Sequence, residues 1–190
     1  MKQKVLVEIS ARHMHLSKEH VAILFGEGYK LTPKKDLSQP GQFACDEKVM
    51  VVGSRSEMAM TILGPERKES QVELSLTDAR TLGIDALIRE SGHIEGTNGC
   101  KLVGPKGEVV LEKGVIVAKR HIHLTQTDAD ALGVNDSEIV NVKIETPDRT
   151  TTYGDVVIRI RNDFAAAMHI DTDEGNAAGI KGVAYGEIVK

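Results

Sequence analysis

Two short motifs hold the residue types best suited to chemistry. His13 and His15 stand one residue apart in Ala11-Arg12-His13-Met14-His15-Leu16, and His121 and His123 do so in Lys119-Arg120-His121-Ile122-His123-Leu124. On a strand, residues i and i+2 share a face, so each pair can turn two imidazoles toward one ion. Neutral imidazole and carboxylate suit zinc, and catalytic zinc keeps a position for water or substrate. Glu73 and His169 join the set through a weak internal repeat. His15-Leu16-Ser17, Glu73-Leu74-Ser75, His123-Leu124-Thr125 and His169-Ile170-Asp171 each place a ligand type first, an apolar residue second and a good helix N-cap third. Together these residues exceed the needs of one tetrahedral ion with an open position, so two metals are expected.

The same repeat says what positions the ligands. Three residues after each cap come His20, Asp78, Asp128 and Glu174, and the three acids are placed where a helix N-terminus favours negative charge. Gly83, Gly133 and Gly179 follow at helix-stop positions, whereas the first copy departs with Phe25 before Gly26. Each copy therefore reads as a strand end, a projecting side chain and a two-turn helix. Elsewhere the periodicity is mostly two-fold: Val5 to Ile9, Lys48 to Val52, Met58 to Leu63, Gln71 to Leu74, Val115 to Val117, Glu138 to Ile144 and Val156 to Ile160. Turns such as Gly64-Pro65 and Gly104-Pro105-Lys106-Gly107 separate these runs. The expected fold is mainly β, closer to small barrels with short helices at strand ends than to a doubly wound parallel sheet.

Composition removes several function classes. With 24 Lys plus Arg against 28 Asp plus Glu, the net charge is -4, which argues against a nucleic-acid binder acting through bulk charge. Three Tyr, three Phe and no Trp leave little for base-stacking platforms. No apolar run reaches the roughly 18 residues of a membrane span. Met1 to Val7 lacks the apolar core and cleavage site of a secretory signal, and Cys45 and Cys100 suit a reducing, cytoplasmic compartment. Neither cysteine has a partner at zinc-ligand spacing, and His20 and His93 read as structural.

Over nearly its whole length the sequence closely resembles the phosphate propanoyltransferases, the PduL-type phosphotransacylases of bacterial microcompartments. The resemblance rests on Val7-Glu8-Ile9-Ser10-Ala11-Arg12-His13-Met14-His15-Leu16, on Leu31-Thr32-Pro33-Lys34-Lys35 with Leu37-Ser38-Gln39-Pro40-Gly41-Gln42-Phe43, and on Ile62-Leu63-Gly64-Pro65 with Arg67. It continues through Val72-Glu73-Leu74-Ser75-Leu76-Thr77-Asp78-Ala79-Arg80, Arg89-Glu90-Ser91-Gly92, Val115 to His123 and Met168-His169-Ile170-Asp171-Thr172-Asp173-Glu174.

That resemblance implies a dinuclear zinc enzyme of propanediol degradation that interconverts propanoyl-CoA, or acetyl-CoA, plus phosphate with an acyl phosphate plus CoA. It implies two small β-barrels capped by short helices with the active site between them: residues 1–11 plus 119–190, and residues 12–118 with 25–45 as a lid-like insertion. His13 and His15 would hold one zinc, which meets the CoA sulfur. Glu73, His121, His123 and His169 would hold the other, and Arg67 would bind phosphate through its planar fork. Arg89 and Lys119 are candidates for CoA contacts. Direct attack at such a site needs no acyl carrier, so neither cysteine is expected to form a covalent intermediate. The partners are small molecules, not nucleic acid or membrane, and a homo-oligomer stays open. Few residues precede the first strand, so a cytoplasmic location is expected, with the microcompartment lumen as the alternative. Two rivals use the same ligands: a zinc-dependent thioester hydrolase, which needs no Arg67, and a non-catalytic module fastened by zinc.

Overall fold

The computed structural model describes residues 4–189. Residues 1–3, counted above in the first barrel and in the approach to its first strand, lie outside the described residues, as does residue 190. The chain divides into two compact units: Ala11–Ala118, and a discontinuous unit that joins the residues up to Ser10 to those from Lys119 onward.

In chain order the strands are β1 (Lys4–Ile9), β2 (His13–His15), β3 (Pro33–Asp36), β4 (Phe43–Val52), β5 (Glu57–Gly64), β6 (Gln71–Glu73), β7 (Leu87–Arg89), β8 (Cys100–Val103), β9 (Glu108–Leu111), β10 (Val115–Ala118), β11 (His121–Leu124), β12 (Ile139–Glu145), β13 (Thr150–Ile160), β14 (Ala167–Ile170) and β15 (Ala184–Val189). The helices are α1 (Lys18–Phe25), α2 (Leu76–Leu82), α3 (Gln126–Leu132) and α4 (Thr172–Ala177).

In the discontinuous unit, β1, β14, β11, β13, β12 and β15 close into a barrel. Closure leaves no unpaired strand edge. Strand β1 runs parallel to β14, with Glu8 opposite His169, and antiparallel to β15. Strand β11 runs antiparallel to β14, with His121 opposite His169 and Ile122 opposite Met168. Alternation decides which side chains go inside. Val5, Val7, Ile122, Leu124, Met168 and Ile170 belong to the buried core, so Glu8, His121, His123 and His169 lie on the opposite face of their strands.

Ala11–Ala118 holds a nine-stranded sheet ordered β7-β10-β6-β2-β5-β4-β8-β9, with β3 paired to β4. The mainly β expectation with short helices holds, with a difference: one unit is a closed barrel, and the other is a sheet whose end strands β7 and β9 share no ladder among the described residues. Strand β2 pairs antiparallel with β6, setting His13 opposite Glu73, Met14 opposite Val72 and His15 opposite Gln71. Met14 and Val72 are fully buried in the core, which leaves His13, His15, Gln71 and Glu73 together on the other face. The segment 25–45 contains the end of α1, the exposed strand β3 and the start of β4, and Phe25 stacks on Tyr29 at 5.0 Å.

All four helices begin where the repeat predicts. The side chains of Ser17, Ser75, Thr125 and Asp171 accept the backbone N–H of His20, Asp78, Asp128 and Glu174, respectively. Each cap satisfies a donor that the first helical turn leaves without an intrahelical partner. Gly83 and Gly133 end α2 and α3 in the left-handed conformation, which costs glycine no Cβ clash. In α4 the last capping position is Ala178, and Gly179 takes the positive φ of 66° one residue later.

Thr125 completes a capping box, its side chain accepting from Asp128 while the Asp128 carboxylate accepts from the Thr125 backbone. Thr125→Ala is expected to lower unfolding stability by about 1 kcal/mol. Urea titration monitored by circular dichroism checks this, and an unchanged midpoint would show that the cap contributes nothing.

Candidate metal centres

Each unit carries one group of three ligand types. In Ala11–Ala118 these are His13, His15 and Glu73, all buried, each with a ligand atom within 4.8 Å of the others'. The His13 Nδ1–H donates to the Ala11 carbonyl at 2.8 Å, and the His15 Nδ1–H donates to the Leu63 carbonyl at 3.1 Å. A carbonyl can only accept, so in the neutral rings the lone pair is at Nε2. Both Nε2 atoms face the carboxylate: His13 lies 3.5 Å from Glu73 Oε2 and His15 4.0 Å from Glu73 Oε1.

In the barrel unit the group is His121, His123 and His169, also with ligand atoms within 4.8 Å of one another. The His121 Nδ1–H donates to the Lys119 carbonyl at 2.8 Å, the same two-residue step back that His13 uses. Glu8 Oε2 lies 3.7 Å from His169 Nδ1. His123 is only 8% exposed, its ring sits 4.1 Å from that of Phe164, and its Nδ1 is buried without a hydrogen-bond partner among the described residues.

The two groups share more than ligands. In each, the first histidine of the H-x-H strand faces the third ligand across an antiparallel ladder, His13 to Glu73 and His121 to His169. In each, the arginine before the motif pairs with the acid at the third position of the helix next after the third ligand. Arg12 reaches Asp78 at 2.6 Å, and Arg120 reaches Glu174 at 2.9 Å.

The electrostatics suit a cation. Burial, then the charges of His13 and Arg67, push the His15 imidazole down to about 3. Burial, then His121 and His169, push His123 down to about 2. Burial alone would raise the Glu73 carboxyl, but His13, His15, the Ser91 hydroxyl and Arg67 outweigh it and bring it to about 2. At neutral pH a carboxylate and the lone pair of a neutral imidazole thus converge in a buried place. A buried anion is costly, and a bound cation relieves that cost. The orphaned His123 Nδ1 makes the same case in the barrel. The donor set of imidazole and carboxylate, with Nδ1–H groups held by carbonyls, fits zinc.

The comparisons with known proteins agree in direction. The family model described as "Phosphate propanoyltransferase" matches residues 6–181. The chain belongs to the phosphate propanoyltransferase family. A member from Leptotrichia buccalis is 57% identical over 187 residues, covering 97% of this chain and 88% of its own. One from Thermotoga maritima is 53% identical over 175 residues, covering 92% and 83%. One from Listeria monocytogenes is 54% identical over 187 residues, covering 98% and 87%.

The family resemblance grouped Glu73 with His121, His123 and His169; the structure sets its carboxylate against His13 and His15, because β6 pairs with β2. Arg67 is half-buried, its backbone N–H donates to Leu16, and its guanidinium donates to Ser91 Oγ at 3.3 Å. Arg89 is exposed with its guanidinium on the Ile88 carbonyl, and the Lys119 carbonyl serves His121. His20 bonds Ser70 Oγ at 2.6 Å from within α1. Two neighbours of Glu73 went unread in the sequence. Gln71, two residues upstream, was findable from strand alternation; Ser91, in a loop beyond β7, stood in the matched segment Arg89-Glu90-Ser91-Gly92 but was given no role. No helix among the described residues is long and apolar enough to cross a membrane.

The His15 shift has a consequence for stability. The folded ring resists protonation, while the unfolded ring titrates near its ordinary 6.5, so below that pH the unfolded chain binds more protons. Stability is therefore lost as pH falls through 6.5. Between pH 7 and 5 the loss from His15 alone is about 2 kcal/mol in the metal-free protein. Urea unfolding after chelation, compared with His15→Asn, checks this. Equal pH dependence in the two proteins would refute it.

Proposed function

We propose that the protein transfers a short acyl group between CoA and phosphate, interconverting propanoyl-CoA plus phosphate with propanoyl phosphate plus CoA. His13, His15 and Glu73 would hold one zinc, and His121, His123 and His169 a second. Zinc, when bound, supplies Lewis acidity and stabilises a thiolate. Besides family membership, one observation supports transfer to phosphate over hydrolysis: Arg67 is tied through Ser91 to the Glu73 carboxylate, Arg67 to Ser91 at 3.3 Å and Ser91 to Glu73 at 2.8 Å. That puts a permanently charged, bidentate anion binder beside the ligand group, which a hydrolase using water does not need.

The chain's own residues then divide the remaining work. Arg67 binds and orients phosphate, a weak nucleophile that gains from being held in place. The imidazoles of His15 and His123 stay neutral at working pH, so protons do not compete for those ligand atoms. No protein nucleophile takes part. Burial, then Glu47, pushes the Cys45 thiol up to about 11, and burial pushes Cys100 to about 12, so neither is a thiolate at neutral pH. Acetyl-CoA lacks one methylene, and a hydrophobic pocket separates such substrates by only about 1–3 kcal/mol, so both are expected to react. The same reading assigns the reaction to propanediol breakdown, in the cytoplasm or a microcompartment lumen.

Release of CoA from propanoyl-CoA, assayed with and without phosphate, tests the reading. Phosphate-dependent release is expected; release without phosphate favours the hydrolase, and none favours the module. Arg67→Ala is expected to raise the KM for phosphate by about 30-fold or more, the loss of a charge-assisted contact of about 2 kcal/mol. Elemental analysis is expected to find about two zinc per chain, of which about one is lost in the His121→Ala, His123→Ala double variant.

A further inference from the structure

The hydrogen bonds around Glu73 leave no freedom in their direction. Gly92 N–H, at a backbone φ of 97° that favours glycine, donates to Gln71 Oε1 at 2.8 Å. A backbone N–H can only donate, so the oxygen end of the Gln71 amide faces Gly92 and the NH2 end faces the ligand group. Gln71 Nε2 accordingly donates to Glu73 Oε1 at 2.6 Å and to Ser91 Oγ at 2.9 Å. Ser91 Oγ also receives Arg67 at 3.3 Å, so both its lone pairs are used. Its single proton therefore goes to Glu73 Oε1, 2.8 Å away.

We infer that Gln71 and Ser91 are positioning residues that saturate Glu73 Oε1, so that Glu73 meets an ion through Oε2 alone. The inference rests on the metal-site reading above. Two donors on one carboxylate oxygen lower its availability to a cation and fix the plane of the group, while Oε2, 3.5 Å from His13 Nε2, carries no such donor. A carboxylate free to rotate binds an ion through either or both oxygens; this one is confined to a single mode. The coordination position that a second oxygen would fill stays open for substrate.

The test uses Co2+ as the probe in the full chain carrying His121→Ala and His123→Ala, so that only the His13, His15 and Glu73 group binds. Ser91→Ala and Gln71→Met, the latter close in volume to glutamine, are each expected to weaken Co2+ affinity by about 10- to 100-fold and to change its visible absorption bands. Ser91→Thr, which keeps the hydroxyl, is expected to restore both. Affinity within twofold and unchanged bands in both variants would overturn the inference, as would a lowered melting temperature with the spectrum intact, the mark of a purely structural role. If the parent chain itself binds no Co2+, the metal-site reading fails first, and the two failures are thereby told apart.

Discussion

Side chains alternate between the two faces of a strand, and both ligand groups are built on that fact. Met14 and Val72 in the sheet, and Ile122 and Met168 in the barrel, are fully buried, and their burial is the driving force that fixes strand orientation. A slip of one residue would send an apolar side chain outward and a histidine into the core. The ladder then does the rest: His13 against Glu73 and His121 against His169 are direct cross-strand partners, close enough that little further adjustment is needed to share an ion. The core thus sets which face the candidate ligands share.

The segment after each third ligand is equally constrained. The chain turns at once into a capped helix, and the acid at the third helical position draws in the arginine that precedes the H-x-H strand, Asp78 to Arg12 and Glu174 to Arg120. Arg120 also lies over the Tyr153 ring, 5.1 Å from its centre, and the Tyr153 hydroxyl donates to the Glu174 carbonyl. The strand bearing the first two ligands and the helix behind the third are so tied to each other. Such ties resist the repulsion among imidazoles and carboxylate, which would otherwise drive the group apart.

Much of this was legible in the sequence, for physical reasons. The ligand, apolar, cap grammar recurs four times because a strand end, a core contact and an unsatisfied helix N-terminus each demand a particular residue type, and all four caps form. The long strands β4 and β13 were visible only in part, since Phe43 to Glu47 runs three apolar residues into two acids without alternating, and Thr150 to Asp155 is mostly polar. Strand β3, wholly exposed as Pro-Lys-Lys-Asp, had none. The placement of Glu73 beside His13 and His15 was not legible, because spacing along a chain says nothing about which strands pair. Ser91 was out of reach for a similar reason: its role is set by where a loop returns, not by its neighbours in sequence.

Topology also sets an order in time. Strand β1, next in sequence to the first H-x-H motif, belongs to the barrel, while β10, next to the second, belongs to the sheet. The partners of β1 are β14 and β15, at the far end of the chain, whereas every strand of the sheet lies within the continuous stretch Ala11–Ala118. On a ribosome the sheet can therefore finish as soon as β10 emerges, and with it the His13, His15 and Glu73 group. Val5 and Val7 must wait for β14 and β15 before they are covered, so the first strand stays unpaired until those strands have been made. The two ligand groups, alike in construction, are born at different moments.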